Sequence, residues 1–547
     1  MSHVPKRIIL IGPSGSGKSA VAARLADAAG FRAIDTDDEI VNRVRMPIGE
    51  FFTRFGEPAF RAIEADALAE ACRRDSVVIA TGGGVVLSPT NWASMRPESA
   101  IIGLAASPES SVARMTAQAE RDGVHAERPL LAGDALMRLR GLLEARQSLY
   151  AAADVTIDTE GRSEAQVSEA VSTAIRALAS SGQIPFTCID TPAGRSDIFV
   201  SAGVRQQVGE LISRRWPTAR RVWIISDEHV SAAWGLSTAQ SLDDVGIKVE
   251  TLVVAAGEAS KRMAEVERLC VAMTNGGVTR RDVVVALGGG VVGDLAGFVA
   301  SVVLRGLPLV QLPTSLLAMV DSSVGGKTGV NTPSGKNLIG AFYQPSIVMI
   351  DPDFLATLPP EEFRSGTAEV VKHALIQSST PFSGDSLLKR VASGPLNPSS
   401  AADLERVLSL NVAIKRSVVQ ADERESGLRM ILNFGHTAGH AIEADGYRYR
   451  HGEAIAIGMV VATRTALALG RVDSTYLETV ENLLSRAGLP IRMSGTADDV
   501  MWRLSSDKKN VDGALNWILP RSDGVVERVT GVPIDAVRDA LIAVGAT

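Results

Sequence analysis

Residues 12–19 read Gly12-Pro13-Ser14-Gly15-Ser16-Gly17-Lys18-Ser19, directly after the run Arg7–Ile11 and at the opening of the helical pattern Lys18–Ala29. The spacing fits GxxxxGK[ST]. Its strand–loop–helix setting is the one that lets backbone N–H groups wrap phosphates at a positively polarised helix N-terminus. Lys18 then reaches the outer phosphates and Ser19 can ligate Mg²⁺.

Working outward, Val77–Ala80, Ile101–Leu104 and Val155–Ile157 read as further strands, and Asp134–Tyr150 and Glu164–Ala179 as helices. Strands alternating with helices imply a parallel sheet covered on both faces. This P-loop unit is expected to occupy residues 1–180, with a linker over 181–197. Val222–Ser226, Val249–Val254, Val283–Leu287 and Leu309–Leu312 then announce a second α/β unit over 198–351. Beyond it, Arg364–Gln377, Ala401–Gln420, His436–Ala444 and Glu453–Leu469 make 352–547 mostly helical.

Composition fits this plan. The chain has 547 residues, 46% apolar and 22% charged, too many for one core. A net charge of −6 gives no reason to expect nucleic acid or an anionic membrane as partner. Three scattered cysteines, Cys72, Cys188 and Cys270, point to a reducing compartment and leave any metal to His and carboxylates. The N-terminus lacks the apolar run of a signal peptide, so a cytoplasmic enzyme is expected. Val283–Leu304 is apolar enough to raise a membrane span, but Asp294 lies at its middle. That would cost roughly 2.5–3.5 kcal/mol in lipid, so strand, glycine turn and helix is the better reading.

In the first third, Asp35-Thr36-Asp37 is expected at a strand end, where alternation sets both carboxylates on one side of the backbone. Arg61 and Glu64 at i, i+3 are by default a surface ion pair, and Thr81-Gly82-Gly83-Gly84 a close-approach turn. Arg128-Pro129-Leu130-Leu131, flanked by Gly123 and Gly133, suits a lid. The ordered set GPSGSGKS, DTD, FRAIE, TGGG, ERPLL, EARxxLY resembles shikimate kinase over residues 5–178. The resemblance implies ATP held by Gly15, Gly17, Lys18, Ser19 and Ala20, with Ser19 and Asp35 on Mg²⁺. It also implies Asp37, Arg61, Gly83 and Arg146 on shikimate, with Arg128 near the transferring phosphoryl group. Arginines suit a carboxylate substrate better than a neutral polyol.

Further on, Gly288-Gly289-Gly290-Val291-Val292-Gly293-Asp294 follows a strand but is not GxGxxG, so it is equally a dinucleotide turn or a structural one. Asp321–Lys327 with Lys336-Asn337 places glycines beside lysines, either an anion site or a solvated loop. His436 and His440 stand at i, i+4, so from spacing alone both bind one metal or both are unligated.

From about Phe199 to Leu519 the stretches LGGGVVGDLAGF, LPTSLLAMVDSSVGGKTGVN, GKNLIGAFYQP, LPPEEFRSGTAEVVKHALI, ADERESGLRMILNFGHTAGHAIE and RHGEAIAIGM resemble 3-dehydroquinate synthase. The resemblance implies Zn²⁺ (or Co²⁺) on Glu369, His436 and His451, with His440 a substrate contact instead. It places Arg305, Asp321, Lys327, Lys336, Lys372, Lys415, Arg429, Asn433 and His440 around a phosphate- and carboxylate-bearing substrate. NAD⁺ falls to Asp227, Gly257, Glu258, Lys261, Gly289, Gly290, Val291, Asp294, Thr314 and Ser315, with Lys327 and Lys336 near it. Lys508 or Lys509 reaches the phosphate. Ala256 stands where the family carries an acid, and Ala438 where it often has Phe. A homodimer through the second half is also implied. Competing readings are a related polyol dehydrogenase or sugar-phosphate cyclase, or a non-catalytic module. The two steps implied are not consecutive, since a dehydration and a reduction intervene.

Overall fold

The computed structural model describes residues 5–95, 99–122, 135–150, 152–181, 186–444, 448–506 and 516–547. Arg128, Lys508 and Lys509 lie outside these. The chain divides into two compact units, Met1–Asp190 and Thr191–Thr547.

The first unit holds five strands: β1 (Arg7–Ile11), β2 (Arg32–Asp35), β3 (Val77–Ala80), β4 (Ser99–Ala105) and β5 (Val155–Asp158). They pair in parallel in the order β2-β3-β1-β4-β5. Side chains alternate across a strand, and β1 obeys this. Ile8 and Leu10 pack with Val21, Leu25 and Val171 on one face, while Ile9 and Ile11 pack with Leu68, Val85 and Trp92 on the other. A sheet buried on both faces explains why the strand segments read as continuous apolar runs. The helix Ile48–Ala71 is bent at Gly56, φ 79°, with Pro58 just beyond. Proline cannot donate the ladder hydrogen bond at that turn.

The sequence reading placed both Asp35 and Asp37 at a strand end, and this is corrected. β2 stops at Asp35, and Thr36 already begins the helix Thr36–Val44. Asp35 caps that helix by accepting the Asp37 amide at 2.9 Å. Capping by an Asp is worth about 1 kcal/mol and competes successfully with one more strand residue.

From Thr187 onward come β6 (Thr187–Thr191), β7 (Gly194–Val200), β8 (Arg221–Asp227), β9 (Lys248–Val254), β10 (Val283–Gly288), β11 (Leu309–Pro313), β12 (Lys327–Thr332), β13 (Gly335–Phe342) and β14 (Ile347–Ile350). Seven form one sheet in the order β6-β7-β14-β11-β10-β8-β9. Val283–Leu304 is the expected strand, turn and helix, the helix spanning Gly290–Val302. Among the described residues, no helix is long and apolar enough to cross a membrane.

Two hairpins escape the sequence reading. β12 and β13 pair antiparallel where a Gly/Lys loop is one expectation. Their glycines hide the period-2 pattern: a Cβ on Gly340 would lie 2.1 Å from the Thr328 carbonyl oxygen. β15 (Trp517–Pro520) and β16 (Val526–Val529) form a second antiparallel pair inside the helical region. The helices Pro360–Ile376, Ala401–Ala421, His436–Glu443 and His451–Ala468 match the segments expected from periodicity to within a few residues.

Candidate active sites

Phosphate-binding loops belong outside the carboxyl ends of parallel strands, and the first unit places its loop there, after β1. Gly15 and Gly17 adopt φ 81° and 91°. Lys18 donates to the carbonyls of Gly12 at 2.9 Å and Pro13 at 2.7 Å, folded back over the loop that a phosphate would share with it. Ser19 Oγ donates to Asp35 Oδ2 at 2.5 Å, which joins the two residues assigned to Mg²⁺. Ala20 follows in the first turn of the helix Lys18–Ala29.

The residues assigned to shikimate come together at the Gly82–Gly84 turn. A Cβ on Gly82 would lie 2.9 Å from both Asp37 Oδ1 and Glu64 Oε1. Arg146 and Tyr150 both donate to the Gly83 carbonyl, at 3.1 and 2.6 Å. Arg61 pairs with Glu64 at 2.7 Å. This is no surface pair, because the Glu64 side chain is 1% exposed. Burial pushes its carboxyl up, against the pull of Arg61 and Arg146. Glu64 and Tyr150 are site residues that the reading of roles missed, although both stand in the quoted stretches FRAIE and EARxxLY.

In the second unit, the neighbouring strands β8, β10 and β11 deliver Asp227, Gly288–Gly290 and Thr314-Ser315 to one carboxyl edge. Gly289 caps the helix Gly290–Val302, whose first turn carries Val291. A Cβ on Gly289 would lie 3.4 Å from Ser315 Oγ, and Thr314 donates its amide to Gly288 at 3.0 Å. A helix N-terminus so placed suits a pyrophosphate. Asp227 Oδ1 accepts the amides of His229 and Val230 at 3.0 and 2.9 Å, a cap for the next turn. Lys261 and Asp294 pair at 2.5 Å, and Glu258 accepts from Asn331 at 2.7 Å. Gly257, φ 98°, holds the bend before Glu258. Ala256, lacking the family's acid, offers its amide to Glu228 at 3.4 Å.

Three helices bring together the residues that could hold a metal. Glu369 lies fully buried in the helix Pro360–Ile376, and His436 and His451 each open a helix. Those two helices approach closely: a Cβ on Gly458 would stand 2.0 Å from the Gly435 carbonyl oxygen. One ligand atom from each of Glu369, His436 and His451 falls within a 4.8 Å cluster. Glu369 Oε1 is 3.6 Å from His436 Nε2 and 3.7 Å from His451 Nε2. Oε2 instead pairs with the Lys372 ammonium. Oε1 accepts no hydrogen bond. Spacing alone had offered His436 and His440 as co-ligands. The His440 ring centroid is 5.2 Å from that of His436, but Glu369 faces His451 instead.

Charges around this cluster are balanced pairwise. Burial would raise the Glu369 carboxyl, but the Lys372 ammonium holds it well below the usual range. Burial and Lys372 keep His436 far below its ordinary value, so its ring is neutral. Burial opposes a charged His451, yet Glu369 and Glu443 push it up to about 9. This site favours an added positive charge, which is what a divalent cation brings. Lys415 pairs with Asp321, and burial brings its ammonium down to about 8. Lys327 pairs with Glu425, which also accepts from Asn433 at 2.6 Å. Arg429, 2% exposed, donates to the carbonyls of Glu423 and Gly325. Lys336 reaches Glu443 at 2.8 Å. Arg305 is the residue not brought in: exposed, at φ 67°, it makes no ion pair or hydrogen bond among the described residues.

Family comparison agrees with this division. The shikimate kinase family model matches residues 14–176. Models of the 3-dehydroquinate synthase N-terminal and C-terminal parts match 251–365 and 366–510. The 3-dehydroquinate synthase of Symbiobacterium thermophilum is 45% identical over 355 residues, 64% of this chain and 98% of that enzyme. A 2-deoxy-scyllo-inosose synthase, solved with carbaglucose-6-phosphate, NAD⁺ and Co²⁺, is 26% identical with a TM-score of 0.58. That likeness covers 65% of this chain and 98% of the other. The 2-epi-5-epi-valiolone synthase of Streptomyces hygroscopicus, with NAD⁺ and Zn²⁺ bound, is 28% identical with a TM-score of 0.55, over 64% of this chain and 96% of its own. The chain is therefore an enzyme of the 3-dehydroquinate synthase family with a shikimate kinase domain in its first unit.

Proposed function

We propose that both units are catalytic in one chain. The first phosphorylates shikimate from ATP and Mg²⁺. The second converts 3-deoxy-D-arabino-heptulosonate 7-phosphate into 3-dehydroquinate and phosphate with NAD⁺ and a divalent cation, Zn²⁺ or Co²⁺. The observation that carries the second activity is Glu369 Oε1, buried, accepting no hydrogen bond, and facing two imidazole Nε2 atoms.

In the first unit, Lys18 and the loop amides bind phosphate oxygens while Ser19 and Asp35 hold Mg²⁺. Asp37 orients the acceptor hydroxyl, and Arg61 and Arg146 bind the carboxylate. Phosphoryl transfer is mainly positioning and charge neutralisation, and these groups supply both. In the second unit, Glu369, His436 and His451 hold the cation, and the β8–β10–β11 edge with Lys261 and Asp294 holds NAD⁺. Bound there, the cation supplies Lewis-acid polarisation of a substrate hydroxyl and NAD⁺ supplies a hydride acceptor restored in each cycle. Lys327, Lys372, Lys415 and Arg429 bind an anionic substrate, and Asp321 and Glu425 hold ammonium groups in place beforehand. His440 sets a ring nitrogen beside the cation site, where a substrate proton can be held.

Two variants test this. His436→Ala is expected to abolish phosphate release from the heptulosonate phosphate and to spare shikimate-dependent ADP formation. Lys18→Ala is expected to do the reverse. Equal loss of both activities in either variant refutes two independent sites.

A further inference from the structure

A metal-bound histidine has two ring nitrogens, and the one not on the metal needs a fixed acceptor to set the tautomer. His451 shows such an arrangement. Its Nε2 faces Glu369 Oε1 at 3.7 Å, and its Nδ1 lies 3.2 Å from Glu443 Oε2. Glu443 is itself buried, and its other oxygen takes the Lys336 ammonium at 2.8 Å. It stands seven residues after His436 in the same helix, so His436, His440 and Glu443 share one face.

We propose that Glu443 is a positioning residue. By accepting from His451 Nδ1 it fixes the tautomer that leaves Nε2 for the cation, and through Lys336 it ties the metal centre to the β12–β13 hairpin. The inference rests on the reading of Glu369, His436 and His451 as the metal ligands. His440, Glu443 and His451 also form a cluster within 4.8 Å. Glu443 is the poorer ligand of the two carboxylates, because both its oxygens are engaged with donors. Glu369 keeps Oε1 free of hydrogen bonds.

The test is zinc affinity of the full chain by chelator competition, for wild type, Glu443→Ala and Glu443→Gln. Circular dichroism and the melting of the metal-free chain check folding. Outer-shell loss weakens zinc roughly 10- to 100-fold, so Glu443→Ala is expected in that range with one zinc per chain retained. Glutamine keeps an acceptor oxygen, so Glu443→Gln is expected between alanine and wild type, and it carries the test if alanine does not fold. Long-range ¹H–¹⁵N spectra of histidine-labelled, zinc-loaded protein should show His451 bound through Nε2 with Nδ1 protonated in wild type, and a mixture of Nε2- and Nδ1-bound forms in Glu443→Ala, which a merely structural role would not produce. Tight wild-type binding with unchanged affinity in both variants overturns this inference alone. Loss of a second zinc equivalent makes Glu443 a ligand and also overturns it. A wild type that binds no zinc sinks the ligand reading, and this inference with it.

Discussion

Replacing Lys372 by methionine separates the metal centre from the protein charge that stands in for metal. The Lys372 and Glu369 side chains are 1% and 0% exposed and are paired with each other. Removing one partner of such a pair leaves an uncompensated buried charge, at a cost of about 3–5 kcal/mol. Two rings remain beside Glu369, His436 at 3.6 Å and His451 at 3.7 Å. His451, pushed up to about 9, carries part of the compensation. The lower end, about 3 kcal/mol, is therefore expected. For a unit of this size that is a fall on the order of 5 °C in melting temperature. Zinc at a thousand times its Kd adds about 4 kcal/mol to a folded state that alone binds it. In the variant the cation also neutralises the orphaned carboxylate, so the zinc-induced rise should exceed that of wild type. Calorimetry of the full chain, with chelator and with saturating zinc, measures both quantities. Shikimate-dependent ADP formation serves as the internal control. Unchanged melting in chelator, or an equal zinc-induced rise in both proteins, refutes the reasoning.

Three further outcomes are expected. Gly452→Ala puts a Cβ 1.9 Å from the Ser365 carbonyl oxygen, where backbone cannot yield. It should cost about 1–3 kcal/mol and weaken zinc by moving His451 away from Glu369, and unchanged melting and affinity would contradict it. Gly82→Ala presses on Asp37 and Glu64 at 2.9 Å. It should lower kcat/KM for shikimate about tenfold or more while sparing phosphate release, and a silent substitution would remove Asp37 from the acceptor site. Burial pushes the Cys72 thiol up to about 12 from an ordinary 9.0. Its protonated form therefore contributes stability in full below about pH 8, and loses it as pH climbs from about 9 towards 12. A thiol reagent at pH 8 should find half-buried Cys270 alone readily reactive in the native chain, since Cys72 and Cys188 are buried, and all three after denaturation. Fast reaction of two or more native thiols would contradict this.

The two steps inferred are separated by a dehydration and a reduction, so the product of the second unit is not the substrate of the first. Joining them brings no direct hand-over, whatever else it brings.

Local chemistry made much of this protein legible in its sequence. Arg7–Ile11 followed by GPSGSGKS specifies strand, phosphate loop and helix within a few residues of chain. Long helices such as Ala401–Ala421 declare themselves by apolar periodicity over many turns. The β12–β13 hairpin did not, because its glycines and lysines carry no alternation, and Asp37 left the strand end because a helix capped by Asp35 competed for it. Order along the chain also carried the family resemblance, and with it Glu369 and His451. What no spacing rule could give is why His451 rather than His440 faces Glu369. Glu369, His436 and His451 open or line three separate helices, and only their packing sets Glu369 Oε1 within 3.7 Å of both Nε2 atoms. The role of Glu443 is of the same kind. Its place seven residues after His436 is written in the sequence, but its partners, His451 on the next helix and Lys336 on a distant hairpin, meet it only in the folded chain.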